Sequence, residues 1–399
     1  GDRADTRAGV CNKMKILYHT WNEWMKRDVT ETLESMGHEV TVNELSPTSY
    51  DDDPAFTDHL NKMLDQGAFD FVFSMNYFPI ISNICEKKGI RYVSWISDCP
   101  CLPLYSNTVS NNCNTIFCFD GVQCNELLSR GANAYNLPLA VNTKRLDPEK
   151  NFDGYKYDVS FLGSFYRNAY NQIENITNMP PALKGYIDGV SNVQSLFFGA
   201  DVINEFFDAA HLKQLSDVAL VNLGEGYADK SREVYLDWIR KNVTVLEREK
   251  MIGDILKKFG SDGNIAIASD KLPEGFETLP GLLSLGYVDY CEDMPKVFRN
   301  SKINLNLTLR SITSGIPLRV TDVLGAGGFI ITNFQPEMEL YFENGKNIVW
   351  FSEKEELFEL IAYYLKNDDE RERIRVEGRK TAEEVFSYER LMDIILENI

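Results

Sequence analysis

The sequence predicts an α/β protein of two Rossmann-like domains, and two observations support this prediction. Short runs of β-branched and aromatic residues alternate with helical stretches of ten or more residues along most of the chain. Such alternation is typical of parallel sheets covered by helices on both faces. The alternation stops in a stretch rich in Pro, Asn and Lys at 138–156 and then restarts, which divides the 399 residues into two units.

The first half contains five predicted strands with helices between them. The strand runs are almost continuously apolar, as expected where both faces of a parallel sheet are buried. Residues 1–13 show no periodicity, so we interpret them as a flexible or cloning-derived extension and place the first domain at 14–150. The predicted strands are 15–18, 39–42, 69–74, 91–97 and 115–119, with helices up to Gly37, at 54–67, at 79–88 and up to Gly131.

The second half restarts with a predicted strand at 157–162, and we place this domain at 151–375. Mostly helical sequence follows at 170–260, which we interpret as an insertion after the first strand. Residues 376–399 are predicted to be helices that close back towards the first domain. The other predicted strands are 264–268, 303–307, 328–332 and 348–350.

Composition excludes several classes of function. The chain has 41 Lys and Arg against 60 Asp and Glu, a formal net charge of -19. This balance disfavours nucleic acid and anionic lipid as partners, because both require a basic surface. No run is long and apolar enough for stable membrane insertion, and no secretory leader is recognisable, so we expect a soluble, cytoplasmic protein. Eight cysteines are too sparse for a disulfide scaffold and are expected to be reduced.

The segment 303–332 gives the strongest indication of a ligand. A predicted strand ends near Leu307, a polar loop containing Ser314 and Gly315 follows, and Pro317 occupies a position suited to the first helical turn. Free N–H groups at 314–318, together with the positive end of the helix dipole, are predicted to form an anion site.

Three charged residues extend this predicted site. Arg310 and Arg319 can add fixed charge for a diphosphate. Asp322 follows Arg319 by three residues on the same helix face, where its carboxylate can accept hydrogen bonds from a ribose diol. The alternative is that Arg319 and Asp322 form an ordinary helix ion pair, worth roughly a few tenths of a kcal/mol. From the residues alone, both interpretations stay open.

Two common nucleotide motifs are missing from the sequence. The first predicted strand is followed by HTWNE rather than Gly-x-Gly-x-x-Gly, which disfavours a dinucleotide and hydride transfer. The sequence also lacks Gly-x-x-x-x-Gly-Lys-Ser/Thr, which disfavours a P-loop kinase.

The stretch SGIPLRVTDVLGAGGFIITN, preceded by LGYVDYCEDMPKVFRNSKINLNL, resembles the C-terminal domain of the CgeB-like (spore-maturation-protein-like) glycosyltransferases. In the first half, YVSWISDCP and YNLPLAVNT are similar to the companion domain of that family. The family belongs to the nucleotide-sugar glycosyltransferases with the GT-B fold. The resemblance therefore implies two Rossmann-like domains facing across a cleft, with the donor held mainly by the second.

The resemblance also implies roles for residues of the helix and loop around the donor. Asp322 occupies the place of the acidic residue that binds the ribose. Ser314 stands where the wider group has the first glutamate of an acidic pair, so the contacts to the donor sugar differ from that pattern. Tyr287 and Val288 match the segment that holds the base by stacking and backbone contacts.

A second loop is implied to meet the phosphates. Gly163, Ser164 and Arg167 match the loop after the first strand of the second domain, where the family places a basic residue. An arginine there is chemically suited to stabilise the leaving diphosphate. The alternative for Arg167 is a solvated surface arginine.

The first domain is expected to supply the acceptor site and any base. Asp98 follows a predicted strand and can remove the acceptor hydroxyl proton if the enzyme inverts, or it can cap the following loop. His19 ends the first strand and is a second catalytic candidate, with a packed histidine as the alternative. Asn76, Tyr77 and Trp21 are candidate acceptor contacts, although Tyr77 and Trp21 also fit plain packing.

The sequence thus favours a metal-independent transfer of a hexose or deoxyhexose from a nucleoside-diphosphate sugar, such as a UDP-sugar, to a hydroxyl of a protein or polysaccharide. The run 51–53 (DDD) resembles a metal-binding motif, but acids before a proline are normal at the start of a helix. Two alternatives stay open: a nucleotide-sugar epimerase of the same architecture, and a non-catalytic sugar-nucleotide binder.

Overall fold

The computed structural model describes residues 13–167, 171–219 and 230–399, and within these ranges the chain forms two six-stranded parallel sheets. The predicted extension at 1–13 lies outside the described residues except for Lys13. Helices cover the sheets, so the predicted α/β architecture of two Rossmann-like units is confirmed.

The first sheet has the strand order β2-β1-β3-β4-β5-β6, and all of its pairs are parallel. Its strands are β1 Lys15–His19, β2 Glu39–Asn43, β3 Phe71–Met75, β4 Arg91–Ile96, β5 Asn114–Cys118 and β6 Ala134–Asn136. The helices that connect them are α1 Lys26–Ser35, α2 Pro54–Gly67, α3 Pro79–Lys88 and α4 Gly121–Ser129. The strand order changes direction between β1 and β3, and ligands of open α/β sheets bind at such a point.

The second sheet has the order β12-β11-β10-β7-β8-β9 and is also parallel throughout. Its strands are β7 Tyr157–Leu162, β8 Ile265–Ala268, β9 Leu282–Ser284, β10 Ser301–Asn306, β11 Ile330–Asn333 and β12 Val349–Phe351. Its topological switch point lies between β7 and β10. The two strands that the sequence did not indicate, β6 and β9, have three residues each, too few to show a periodic pattern.

Helices fill the segment between β7 and β8, within the predicted insertion at 170–260; residues 170 and 220–229 of that range lie outside the described part. The helices are α5 Pro181–Gln194, α6 Val202–Phe206, α7 Ala209–Val218 and α8 Lys230–Phe259. The first half of α8 shares an apolar core with the other three, whereas its second half packs on the second sheet through Met251, Ile252 and Ile255. One helix of 30 residues therefore joins the insertion to the second domain.

The chain returns to the first domain at its end. The helices after β9 are α9 Met294–Arg299, α10 Leu318–Gly325, α11 Lys354–Tyr364, α12 Asp368–Val385 and α13 Tyr388–Glu397. Tyr388, Leu391, Met392 and Ile395 of α13 are buried in the same apolar cluster as β1 and α1. The final helix thus contributes to the core of the first domain.

Asp120 makes the central contact between the two domains. It follows β5 and caps α4, because its side chain accepts a hydrogen bond from the N–H of Gln123. The same carboxylate reaches the second domain and accepts from the main-chain N–H groups of Thr313, Ser314 and Gly315, at 2.8, 2.8 and 3.0 Å. A fully buried carboxylate with this many donors is well compensated for its loss of water.

A second carboxylate reinforces the contact from the opposite side. Glu337 accepts from the Ser314 hydroxyl at 2.6 Å within its own domain. It also accepts from the Gly121 N–H at 2.6 Å and the Asn136 amide at 3.2 Å in the first domain. Each domain therefore supplies an acid that binds donors of the other.

Gly315 permits this close approach. A Cβ atom at this position would lie 2.5 Å from the carbonyl oxygen of Phe119 and 2.9 Å from the Cα of Asp120. Both neighbours are main-chain atoms, so they can move away only if the two domains separate.

We therefore expect Gly315→Ala to widen the interface and weaken the Asp120 contacts, lowering the free energy of unfolding by about 1–3 kcal/mol. Urea denaturation measures the loss, and small-angle scattering measures the change in overall size. Gly189→Ala is the matched control, because a Cβ at Gly189 in α5 meets open space. This control should be neutral or stabilising by roughly 0.5–1 kcal/mol. Identical unfolding and scattering of Gly315→Ala and wild type would contradict the expectation.

Candidate active site

The carboxyl ends of strands from both sheets meet across the domain interface. The loop after β5 contacts the loop after β10 through Asp120, and Cys99, beyond β4, donates from its thiol to the Ser311 carbonyl at 3.2 Å. Both switch points of the sheets open towards this interface, which is where ligands of such sheets bind. The candidate active site is therefore the cleft between the domains.

Asp322 lies buried at the second-domain side of the cleft, on α10. Its Oδ1 accepts a hydrogen bond of 2.9 Å from the hydroxyl of Tyr290, and its Oδ2 lies 3.6 Å from Arg319. Burial raises the pKa of Asp322 to about 6, although Arg319 and the Tyr290 hydrogen bond act in the opposite direction. At neutral pH the carboxylate is mostly ionised and retains lone pairs for a further donor.

A chain of contacts links Asp322 to the first domain. The ring of Tyr290 lies under the guanidinium of Arg145, with 5.5 Å from the guanidinium carbon to the ring centroid. Arg145 in turn forms a two-point ion pair with Asp28 of α1, at 2.7 and 3.1 Å. Arg145, Tyr290 and Asp322 also line a small pocket. The exposed ring of Trp24 lies 5.8 Å from the Tyr290 ring.

The N–H groups at the predicted anion site are not all free. Those of Ser314 and Gly315 donate to Asp120, and the Ser314 hydroxyl donates to Glu337. The expectation of free donors at these two residues is therefore wrong, because an acid of the other domain already occupies them. The same geometry shows that this loop does bind a carboxylate.

Two arginines expected near the diphosphate are engaged by acids. Arg310 forms a two-point ion pair with Glu247 of α8, at 2.8 and 2.5 Å, and its guanidinium stacks on the ring of Phe198. Arg167 binds both Glu249 and Glu174. In this state neither arginine carries an uncompensated charge.

The remaining residues predicted to bind the sugar donor lie in different environments. Ser164 follows β7, and its hydroxyl accepts from the Tyr166 N–H while Gly163 donates its N–H to the Ala268 carbonyl. Tyr287 is 86% exposed, so its ring is available for stacking. Val288 is partly buried against the second-domain core.

Asn76 and Asp98 come together on the first-domain side. Asn76 Nδ2 donates to the Asp98 carboxylate at 2.8 Å, and Asn76 Oδ1 accepts from the N–H groups of Ser97 and Asp98. Part of the Asp98 side chain reaches solvent, yet desolvation by the surrounding protein raises its pKa. The Asn76 hydrogen bond and the charge of Lys241 act against this shift. The pair forms a positioned carboxylate at the end of β4.

His19 is fully buried at the end of β1, and its hydrogen bonds define its tautomer. The N–H of Leu45 donates to Asn43 Oδ1, so the amide nitrogen of Asn43 faces His19 Nδ1, at 3.2 Å. Nδ1 therefore accepts, and the proton of the neutral ring lies on Nε2. Burial lowers the pKa of His19 to about 4. Nε2 has no partner among the described residues, so His19 can act as a hydrogen-bond donor but not as a base at that nitrogen.

Trp21 and Tyr77 are held in the first domain. Trp21 donates from its indole N–H to the Met75 carbonyl at 3.1 Å. Tyr77 is fully buried, and its hydroxyl contacts Thr108 and Asn114. The placement of Tyr77 gives no support to an acceptor contact, because its hydroxyl is enclosed in the core.

Sequence reasoning missed several residues of the cleft. Asp120 stands between an apolar run and a helix start, which is a helix-capping position, and nothing in that pattern shows a partner 193 residues away. Arg145 lies in the linker, and Glu337 lies in a short 3-10 helix (336–340). Tyr290 lies two residues after Val288, within the stretch that carries the family resemblance. Of these four residues it was therefore the easiest to predict from the sequence.

Two further observations concern metals and membranes. Among the described residues, no group of three or more His, Cys, Asp or Glu side chains is arranged to hold a metal ion. Asp53 of the 51–53 run caps α2 by accepting from the Phe56 N–H. No helix in the described part of the chain is long and apolar enough to cross a bilayer.

Solved structures with the same fold span nearly the whole chain. A glycosyltransferase from Rickettsia africae ESF-5 is 11% identical with a TM-score of 0.52, over 97% of this chain and 99% of that one. Sucrose-phosphate synthase from Thermosynechococcus elongatus is 8% identical with a TM-score of 0.56, over 96% and 98%. Anabaena HepE in complex with UDP and glucose is 10% identical with a TM-score of 0.51, also over 96% and 98%. The fold is therefore GT-B, the two-domain fold of glycosyltransferases.

In the carboxyl-terminal part of the chain, the sequence also shows a similarity. Residues 248–397 match a family model described as glycosyl transferase-like. This region contains β8–β12 and every candidate residue from Tyr287 to Asp322. Among curated proteins, none matches the sequence.

The raised pKa of Asp322 predicts a pH-dependent stability difference. Between roughly pH 4 and pH 7 the folded state holds this proton more tightly than the unfolded state, so ionisation of Asp322 destabilises the fold as pH rises. Asp322→Asn should therefore gain stability relative to wild type over this interval, by up to about 3 kcal/mol. Urea denaturation at pH 4.5 and pH 7.5 measures the difference.

Asp254→Asn is the control, because Asp254 is a partly exposed carboxylate of α8 paired with Lys250. It should show no comparable gain. A stability difference between Asp322→Asn and wild type that stays constant across the pH range would contradict the expectation.

Proposed function

We propose that this protein transfers a sugar from a nucleoside-diphosphate donor to a hydroxyl acceptor, without a metal. The observation that carries the proposal is the buried Asp322 carboxylate beside Arg319, at the cleft side of a second domain whose sequence matches a glycosyl transferase-like model. An ionised carboxylate with free lone pairs suits a ribose diol, and an arginine beside it suits the phosphates.

The exposed ring of Tyr287 suits the base of the nucleotide. It lies in the loop after β9, on the same side of the second sheet as the switch point, and offers a flat apolar surface to solvent. Stacking on an aromatic ring tolerates different bases, so this contact by itself does not select one. HepE binds UDP and glucose, which makes a UDP-sugar the first donor to test here.

Asp98 is the proposed base of an inverting reaction. Its carboxylate takes the proton of the acceptor hydroxyl while that oxygen forms a bond to the anomeric carbon. The bond from the anomeric carbon to the diphosphate breaks, and its electron pair stays on the phosphate oxygen. Desolvation raises the pKa of Asp98, which makes the carboxylate a stronger base, and Asn76 holds it in place. His19 is proposed to donate a hydrogen bond from Nε2 to a substrate oxygen.

The finer assignments rest on sequence resemblance. We propose a member of the CgeB-like group that transfers a hexose or deoxyhexose to a protein or polysaccharide. The acidic surface, with a net charge of -19, favours such an acceptor over anionic lipid.

Donor binding is the direct test. We expect UDP or a UDP-sugar to raise the Tm of the wild-type protein, because a ligand that binds only the folded state stabilises it. Asp322→Ala and Arg319→Ala should remove this shift. Arg373→Ala and Asp254→Ala change exposed residues of α12 and α8 and should keep it. If both cleft variants keep the shift, the donor binds elsewhere.

Turnover separates transfer from mere binding. Incubation with the donor that gives the largest shift should release free nucleoside diphosphate, and Asp98→Asn should lower that rate by about 100-fold or more, since general-base groups contribute on this scale. EDTA should leave the rate unchanged if no metal takes part. If the donor binds but no nucleoside diphosphate is released with any acceptor tried, the protein is a sugar-nucleotide binder and not a transferase.

A further inference from the structure

Arg248 lies at the switch point of the second sheet, where the ends of β7 and β10 separate. It belongs to α8, the helix that joins the insertion to this domain, and only 7% of it is exposed. Its guanidinium donates to the carbonyl of Ser164, after β7, and twice to the carbonyl of Leu307, after β10. A single cation therefore spans the two loops at which ligands of such sheets bind.

The hydrogen bonds of Arg248 leave part of its capacity unused. A guanidinium carries five N–H groups, and three donate to these two carbonyls. The two remaining N–H groups are available to an oxygen ligand. The carbonyl partners are dipoles without net charge, so they do not neutralise the cation.

The other arginines of this region have acid partners. Arg240, two turns earlier on α8, is buried to the same degree and pairs with Asp201 and Glu233. Arg310 pairs with Glu247. Among the described residues, the acid that acts on Arg248 is Glu247, which is itself held in the ion pair with Arg310. Arg248 is thus a buried cation without an acid partner of its own.

A second cation lies near it. Burial lowers the pKa of Arg248 first of all; the charges of Tyr166 and Glu247 raise it, and the positive charge of Arg319 lowers it further. Among the described acids, Arg319 pairs with Asp322, at 3.6 Å. The charge of Arg319 thus acts on Arg248, and Asp322 offsets only part of the combined positive charge. A multiply charged anion would compensate both.

We infer that Arg248, together with Arg319, binds the diphosphate of the donor at the β7–β10 switch point. The assignment rests on the glycosyltransferase function proposed above and names an arginine of α8, in place of the Arg167 expected from the loop. Arg167 is held by two glutamates, and the N–H groups of Ser314 and Gly315 are held by Asp120. Of the described arginines around this switch point, Arg248 is the buried one without an acid partner of its own.

The inference predicts that binding and stability respond separately. Arg248→Met removes a buried charge but keeps an unbranched apolar stem, and the loss of three hydrogen bonds to the Ser164 and Leu307 carbonyls opposes that gain. The Tm of the free protein should therefore fall less than that of Arg240→Met. Its affinity for inorganic diphosphate and for UDP, measured by titration calorimetry, should fall about 10- to 100-fold because charge-assisted hydrogen bonds are lost. Arg248→Lys keeps the charge without the planar guanidinium, so its affinity should lie between those of wild type and Arg248→Met.

Arg240→Met is the matched control on the same helix. It leaves Asp201 without its partner and Glu233 with Arg232 alone, so its Tm should fall, while the affinity of the folded protein for diphosphate should stay within about twofold of wild type. If Arg240→Met does not fold, Arg240→Lys takes its place, with a smaller loss of Tm expected.

Two results would overturn the inference: unchanged affinity for inorganic diphosphate and UDP in Arg248→Met, or a loss of affinity that only accompanies a loss of Tm like that of Arg240→Met. The proposed function fails in a different way. If wild type binds inorganic diphosphate through Arg248 but binds no nucleotide or nucleotide sugar, the anion site stands and the glycosyltransferase function does not.

Discussion

The hydrogen bonds from the loop after β10 to Asp120 are the constraint on which the rest of the cleft depends. They bring the main chain of one domain so close to the other that only glycine fits at position 315. The contact fixes where α10 begins, and so it fixes the placement of Arg319 and Asp322 relative to the first domain. The N–H groups of this loop already bind the Asp120 carboxylate. A bound nucleotide sugar must therefore either place its phosphates against other groups or displace Asp120. The first route is the one inferred above for Arg248.

The charged side chains of the cleft differ in how fully each is paired with an opposite charge. Asp28 and Arg145 form a full pair, as do Glu247 and Arg310. Asp322 and Arg319 are a looser pair, and Arg248 has carbonyl partners only. A protein with a net charge of -19 repels anions at long range. Local cations without acids are therefore what would let an anionic substrate bind in the cleft.

The fold could be predicted from the sequence because its strands are buried on both faces and its helices carry regular apolar faces. Strands such as β3 and β8 appear as apolar runs, and Gly and Pro mark several ends. The roles of Arg310 and Arg167 could not be predicted in the same way. Their acid partners, Glu247 and Glu249, lie 63 and 82 residues away on α8, and a local pattern does not show which long-range pairs the packing forms. Asp322 could be predicted as a site residue because its neighbours on the same helix carry a recognisable motif.

The length of α8 connects the inserted helices to the loop after β10. At 1.5 Å per residue its 30 residues extend about 45 Å. One end is embedded in the inserted bundle, and along its course Asp237 accepts from Ser311 while Thr244 accepts from the Arg310 N–H. Because the helix is bonded to both, a displacement of the inserted bundle would be transmitted to residues 310 and 311.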